Sequence, residues 1–177
     1  MRLLSATATI ITLLISINLQ AQNAQITAFG GLGLGYQMNE QNIYEPGFSG
    51  AGIRVDMVRQ INDSRVSLIN GVEFSFQGWG SQVLANNGIS FRILDKGKFS
   101  LVAKLHVLNG IVLLKTNPLY VGGIEILPQI SYSISEKISI YLNSGFRYSA
   151  CSRYRQYGPI WSYIDVPVGV GVALCFD

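Results

Sequence analysis

From Ile26 almost to its end the chain alternates apolar and polar residues with period two. A helix returns to the same face every 3.6 residues, so this pattern belongs to half-buried strands. The last stretch shows it best. Ile164, Val166, Val168, Val170, Val172, Leu174 and Phe176 share one face, and Tyr163, Asp165, Pro167, Gly169, Gly171, Ala173 and Cys175 share the other. The same reading places strands at 26–36, 48–61, 65–78, 88–94, 98–108, 120–134, 138–149 and 163–176, eight in all.

The composition narrows what such strands can build. Charged residues are 13% of the chain, about half the ~25% usual for soluble domains. Hydrophobic residues are 49%, which excludes a disordered chain. A net charge of +3 is no basic patch, so a nucleic-acid partner is not expected. After the first residues no run of 18 apolar residues occurs, which leaves no transmembrane helix.

Residues 1–21 read as a secretory signal peptide. Arg2 gives a short positive start, Leu3 to Ile17 is apolar, and Leu19-Gln20-Ala21 offers a cleavage site. The expected barrel domain is therefore 22–177.

The connections are uneven. Tight turns fall at 62–64, 95–97 and 135–137, and longer loops are expected at 37–47, 79–87, 109–118 and 151–160. Short turns at one end and long loops at the other suit a membrane barrel, with its turns in the periplasm. Two hairpin signals, Asn86-Asn87-Gly88 and Asn109-Gly110, could move the boundaries of the strands around them.

Charges fix the faces. The polar face collects Arg54, Asp56, Glu73, Arg92, Lys104, Glu125, Arg147 and Asp165, four positive and four negative, and the apolar face has none at mid-strand. A charge there would cost roughly 2–4 kcal/mol at a bilayer midplane. The rest of the polar face is mostly Gly, Ser, Gln and Asn, which suits a crowded lumen of paired charges. Gly31, Gly33, Gly35, Gly169 and Gly171 lie inward on the first and last strands, where curvature is needed for closure. Tyr36, Phe48, Trp79, Tyr120, Tyr148, Trp161 and Tyr163 cluster at the long-loop ends, and Phe99, Tyr132 and Phe176 at the other, as two interfacial girdles would.

With these features, and with the final strand Tyr163–Phe176, the chain resembles the small eight-stranded outer-membrane barrels of Gram-negative bacteria, the OmpA/OmpX-like porin-type family. The resemblance is one of pattern over 22–177, and Asp177 follows the terminal aromatic. It implies an all-β, antiparallel, up-and-down transmembrane barrel located in the outer membrane. It also implies insertion by the outer-membrane assembly machinery; outer-membrane lipid and lipopolysaccharide are the expected surroundings of such a chain. It does not imply one activity.

Candidate chemistry is sparse. His106 is the only histidine, on the inward phase, and an interior bond to Glu125 is expected for it. His106-Val107-Leu108-Asn109 is similar to the His-x-Ser-Asn stretch of the outer-membrane lipid A deacylases, but Leu108 stands where those enzymes have serine. One His and two separated Cys make no zinc set, and no cofactor or metal is expected. Gly30 to Gly35 lies inside a strand with no helix after it, so it is no phosphate loop. Cys151 and Cys175 fall at opposite ends of the barrel, roughly 40 Å apart, beyond disulfide reach. Arg153, Tyr154, Arg155 and Tyr157 in the last long loop are the candidate binding residues, their guanidinium groups suited to lipopolysaccharide phosphates. Arg147 and Asp165 could pair inside, and the filled lumen should not pass general solutes.

The expected role is non-enzymatic: a structural or interaction protein with external loops as its contact surface, able to join an envelope protein partner. Two alternatives stand beside it. One is a lipid-modifying barrel enzyme of the deacylase kind. The other is a soluble secreted barrel holding an apolar ligand, which requires the opposite orientation of the faces.

Overall fold

The computed structural model describes residues 23–37, 42–43, 47–62, 64–77, 80–113, 119–153 and 161–176. The signal-peptide stretch lies outside them. The alternating segments form β1 (Asn23–Gln37), β2 (Asn42–Ile43), β3 (Gly47–Gln60), β4 (Val66–Gln77), β5 (Gly80–Lys96), β6 (Phe99–Leu113), β7 (Leu119–Ser133), β8 (Ile138–Ser144), β9 (Phe146–Arg153) and β10 (Trp161–Cys175). Every pairing is antiparallel, the long strands follow one another in chain order around the sheet, and β1 meets β10 from Asn23↔Cys175 to Gln37↔Trp161. That last ladder closes the sheet, so no long edge is left unpaired.

The ten strands make eight staves. β2 is a two-residue bridge against the end of β1. β8 and β9 both lie between β7 and β10 and form one stave broken at Gly145. Pro167 on β10 faces the break. It has no N–H to give the ladder, and its carbonyl accepts from Gly145 N at 3.3 Å instead. A Cβ at Gly145 would run into the Ile126 carbonyl, so the break requires glycine.

The tight turns are close to where the sequence places them. Gly97 takes φ of 62° in the two-residue link between Lys96 and Phe99, and Asn62 takes φ of 50° after β3. Both are positions where a β-branched residue would be strained.

The expected long loop at 79–87 is not observed. β5 starts at Gly80, and its register with β4 runs unbroken from Gln77↔Gly80 to Val66↔Phe91. β6 likewise runs through Asn109-Gly110 to Leu113. Hairpin propensity is local, and here two long ladders override it. The glycines serve close approach instead: a Cβ at Gly88 would meet the Leu105 carbonyl, and one at Gly110 the Val83 carbonyl. The contrast in connection length is therefore smaller than the sequence suggests.

The barrel is polar within and apolar without. Val170, Ile130 and Ile53 are 58%, 57% and 55% exposed on the outer wall, while Arg54, Glu73 and Glu125 inside are 3%, 0% and 0% exposed. This is the reverse of a soluble protein, whose exposed apolar patches stay small. It contradicts the reading as a soluble barrel with an apolar cavity. The aromatics at the turn end match a girdle: the tilted rings of Phe99 and Tyr132 lie 5.0 Å apart and are exposed, as is Phe176. At the loop end Tyr120 and Tyr148 are exposed, but Tyr163 is buried in the lumen, because its phase is that of Asp165. The side chains of Tyr36, Phe48, Trp79 and Trp161 lie outside the described residues.

Candidate functional site in the barrel lumen

Six staves send charged or ionisable side chains to one level of the lumen: Arg54 from β3, Glu73 from β4, His106 from β6, Glu125 from β7, Arg147 from β9 and Asp165 from β10. Each sits on the polar phase of its strand, so alternation alone aims it inward. Arg54 Nη2 donates to Glu73 Oε2 at 2.5 Å, and its Nη1 lies 2.7 Å from Glu125 Oε2. Arg147 Nη1 donates to Glu73 Oε1 at 2.8 Å, and its Nη2 to Glu125 Oε1 at 2.6 Å. Two arginines and two glutamates thus close a ring in which each carboxylate serves both guanidinium groups. The Phe29 ring lies 5.7 Å from Arg54 Cζ and 5.4 Å from Arg147 Cζ, a distance at which the ring face attracts a cation.

His106 Nδ1 lies 2.9 Å from Glu125 Oε2, and the ring is fully buried. Leu108 faces the lumen beside it, and Asn109 faces outward. Asp165 stands 3.9 Å from Arg147 Nε, so the glutamates are Arg147's closer partners.

The ring divides the lumen. On the turn side, Asp56 accepts from Asn86 Nδ2, Lys104 Nζ donates to Gln25 Oε1 at 2.5 Å, and the Tyr141 hydroxyl bonds Thr27 Oγ1 at 2.6 Å. A Cβ at Gly171 would strike the Ile26 carbonyl and the ring of Tyr141, its partner on β8, so this glycine lets that ring pass over it to reach Thr27 on β1. Beyond Lys104 a polar cup of about 210 Å³ opens at the turn end, with Arg65, Arg92, Asp95 and Lys98 among its lining residues.

Arg92 is the one member of the expected interior set that does not join it. Its side chain is 43% exposed and pairs with Asp95 at 3.2 Å. With strand 88–94 as its frame Arg92 looks central. In the longer β5 it lies near the turn-end mouth.

On the loop side the lumen wall becomes apolar. Leu84, Leu108, Val112, Leu119, Val121 and Cys151 form a buried cluster there. Sequence reasoning missed this layer because it sorted faces by polarity. The phase of Lys104 and His106 carries straight on to Leu108 and Val112, and that was the available signal. Cys151 is buried opposite Trp161, and Cys175 is exposed fourteen residues further along β10.

Of the candidate binding residues, Arg153 ends β9 opposite Leu119. Its side chain, and Tyr154, Arg155 and Tyr157 altogether, lie outside the described residues.

The fold and lumen define a class: a closed antiparallel barrel with an apolar wall and an ion-filled interior. A solved structure of the same fold is that of Neisserial surface protein A, with TM-score 0.56 and 13% identity over 86% of this chain and 97% of that one. Ail, the attachment invasion locus protein of Yersinia pestis, aligns with TM-score 0.47 and 11% identity over 87% of this chain and 99% of that one. At 13% identity the likeness to Neisserial surface protein A is one of fold alone. No protein-family model matches the chain, and no curated protein sequence matches it.

Proposed function

We propose that the chain is an integral outer-membrane barrel with a non-enzymatic role, structural or in interaction, carried by its external loops. The observation behind this is the inverted polarity: a wall of exposed Ile, Val, Leu and Phe around a buried ionic lumen. Such a wall is stable against lipid and not against water. The closed barrel also satisfies its backbone groups internally, as lipid requires. Support for a non-enzymatic role comes from His106, which is committed to Glu125 within the ion ring and fully buried. In this reading the assembly machinery inserts the barrel, and Arg153, Tyr154, Arg155 and Tyr157 contact lipopolysaccharide phosphates.

The test is mass spectrometry of lipid A from cells making the protein, paired with lipopolysaccharide binding by the purified barrel. The expected lipid A is unchanged, and Arg153→Ala with Arg155→Ala weakens binding. A change in lipid A acylation that disappears in His106→Ala would contradict the reading.

A further inference from the structure

The two hairpin-like stretches that fall inside strands leave a residue of chemistry unexplained. Gly88 and Gly110 are accounted for by close backbone approach, and Asn86 by its bond to Asp56. Asn87 and Asn109 are not. Both face outward and are exposed, and Asn70, half-buried, lies on the same wall directly opposite Asn87. None of the three amides has a side-chain partner among the described residues.

They are not at the rims. Asn70 is flanked on its face by Leu68 and Val72, Asn87 by Ala85 and Ile89, and Asn109 by Val107 and Ile111. Asn70 is three residues from Glu73, a member of the ion ring, and Asn109 is three from His106, which bonds to Glu125 of that ring at mid-barrel. That is within about 10 Å along a strand. An amide with no partner in hydrocarbon costs several kcal/mol.

A second observation sits beside them. Gly122 is opposite Asn109 and is exposed, and a Cβ there would meet only the Leu108 carbonyl at 3.9 Å. Nothing among the described residues requires glycine at that position. Together with Ala85, opposite Asn109 on its other side, it keeps the wall flat where the amides are. Transmembrane helices associate through small residues and hydrogen-bonding side chains, and this wall offers both.

We infer that the β4–β7 wall is an intramembrane interface with a second copy of this chain, centred on Asn87. A carboxamide both donates and accepts, so it complements its own copy, whereas an acyl chain offers it neither. Two copies inserted the same way are related by a two-fold axis along the membrane normal, which holds every residue level with its own image. Asn87, the middle of the three, is the one that meets itself.

The inference rests on the membrane reading, and the test separates the two. Asn87→Cys is made with Cys175→Ser, and outer membranes are treated with a mild oxidant. The expected product is a covalent dimer, whereas Val168→Cys on the opposite wall gives almost none. Adding Gly122→Leu lowers the cross-linked fraction about tenfold, as a loss of one good contact would. The unboiled gel shift reports the barrel independently in every variant. Wild-type protein in lipid nanodiscs supplies a measurement free of substitutions, and a dimer mass is expected. An intact barrel with no cross-link, equal cross-linking at Val168→Cys, capture of a different protein, or a monomer in nanodiscs would each overturn the inference. A wild-type chain found in the soluble fraction would overturn the membrane reading along with it.

Discussion

Along β7, Glu125, Leu127 and Gln129 face the lumen at 0%, 2% and 2% exposure, while Ile124, Ile126 and Ile130 face outward at 51%, 51% and 57%. One strand therefore serves two environments, and the two faces are stable for opposite reasons. The outer face needs no partner within the chain if its surroundings are apolar. The inner face is full of groups that are tolerable only when paired, and Glu125 alone accepts from Arg54, Arg147 and His106. The lesson is that the lumen holds the specificity of this fold and the wall holds its solvent preference. A change inside breaks a network, and a change outside alters a transfer energy.

The largest expected effect is inside. Glu125→Ala strips the shared acceptor from two buried guanidinium groups and should cost about 3–5 kcal/mol in urea unfolding from lipid. Glu125→Leu combined with Arg147→Met should cost less than the sum of the single changes, because the pair then leaves together. Next comes the wall. Val170→Arg should cost roughly 2–4 kcal/mol in a bilayer, and much less near the turn end at Ile93. A milder change inside is Tyr141→Phe, which removes the bond to Thr27 and should cost about 0.5–1.5 kcal/mol. The smallest effect is at the mouth, where Arg92→Ala breaks an exposed pair and should stay within about 1 kcal/mol, vanishing at high salt. If Arg92→Ala cost as much as Glu125→Ala, the division between ring and mouth drawn here would be wrong.

Much of this was legible before any coordinates. Period two survives because a closed barrel buries one face of every stave, so closure into eight staves follows from counting. Interior charges were legible too, since a charge marks its own face: Arg54, Glu73, Lys104, Glu125 and Arg147 all lie on one phase of their strands. Arg92 shows the limit. Its phase is the inward one, but height along the barrel depends on where β5 begins, and that is set by a ladder to β4 running back to Gly80. Asn86-Asn87-Gly88 and Asn109-Gly110 fail for the same reason. Turn propensity is local, and pairing with β4, β6 and β7 is not. The apolar layer at Leu108, Val112 and Val121 was hidden by the habit of equating inward with polar. The ring itself could not be read from sequence, because which carboxylate meets which guanidinium depends on the shear of the closed sheet.

The central claim is that this chain is a barrel turned inside out for a membrane. The most direct test follows a tagged chain through separation of periplasm, inner membrane and outer membrane, then runs each fraction on an SDS gel with and without boiling. The account predicts a single species in the outer membrane whose mobility changes on boiling, as a closed barrel that resists detergent would. A water-soluble periplasmic protein with no change in mobility would contradict it.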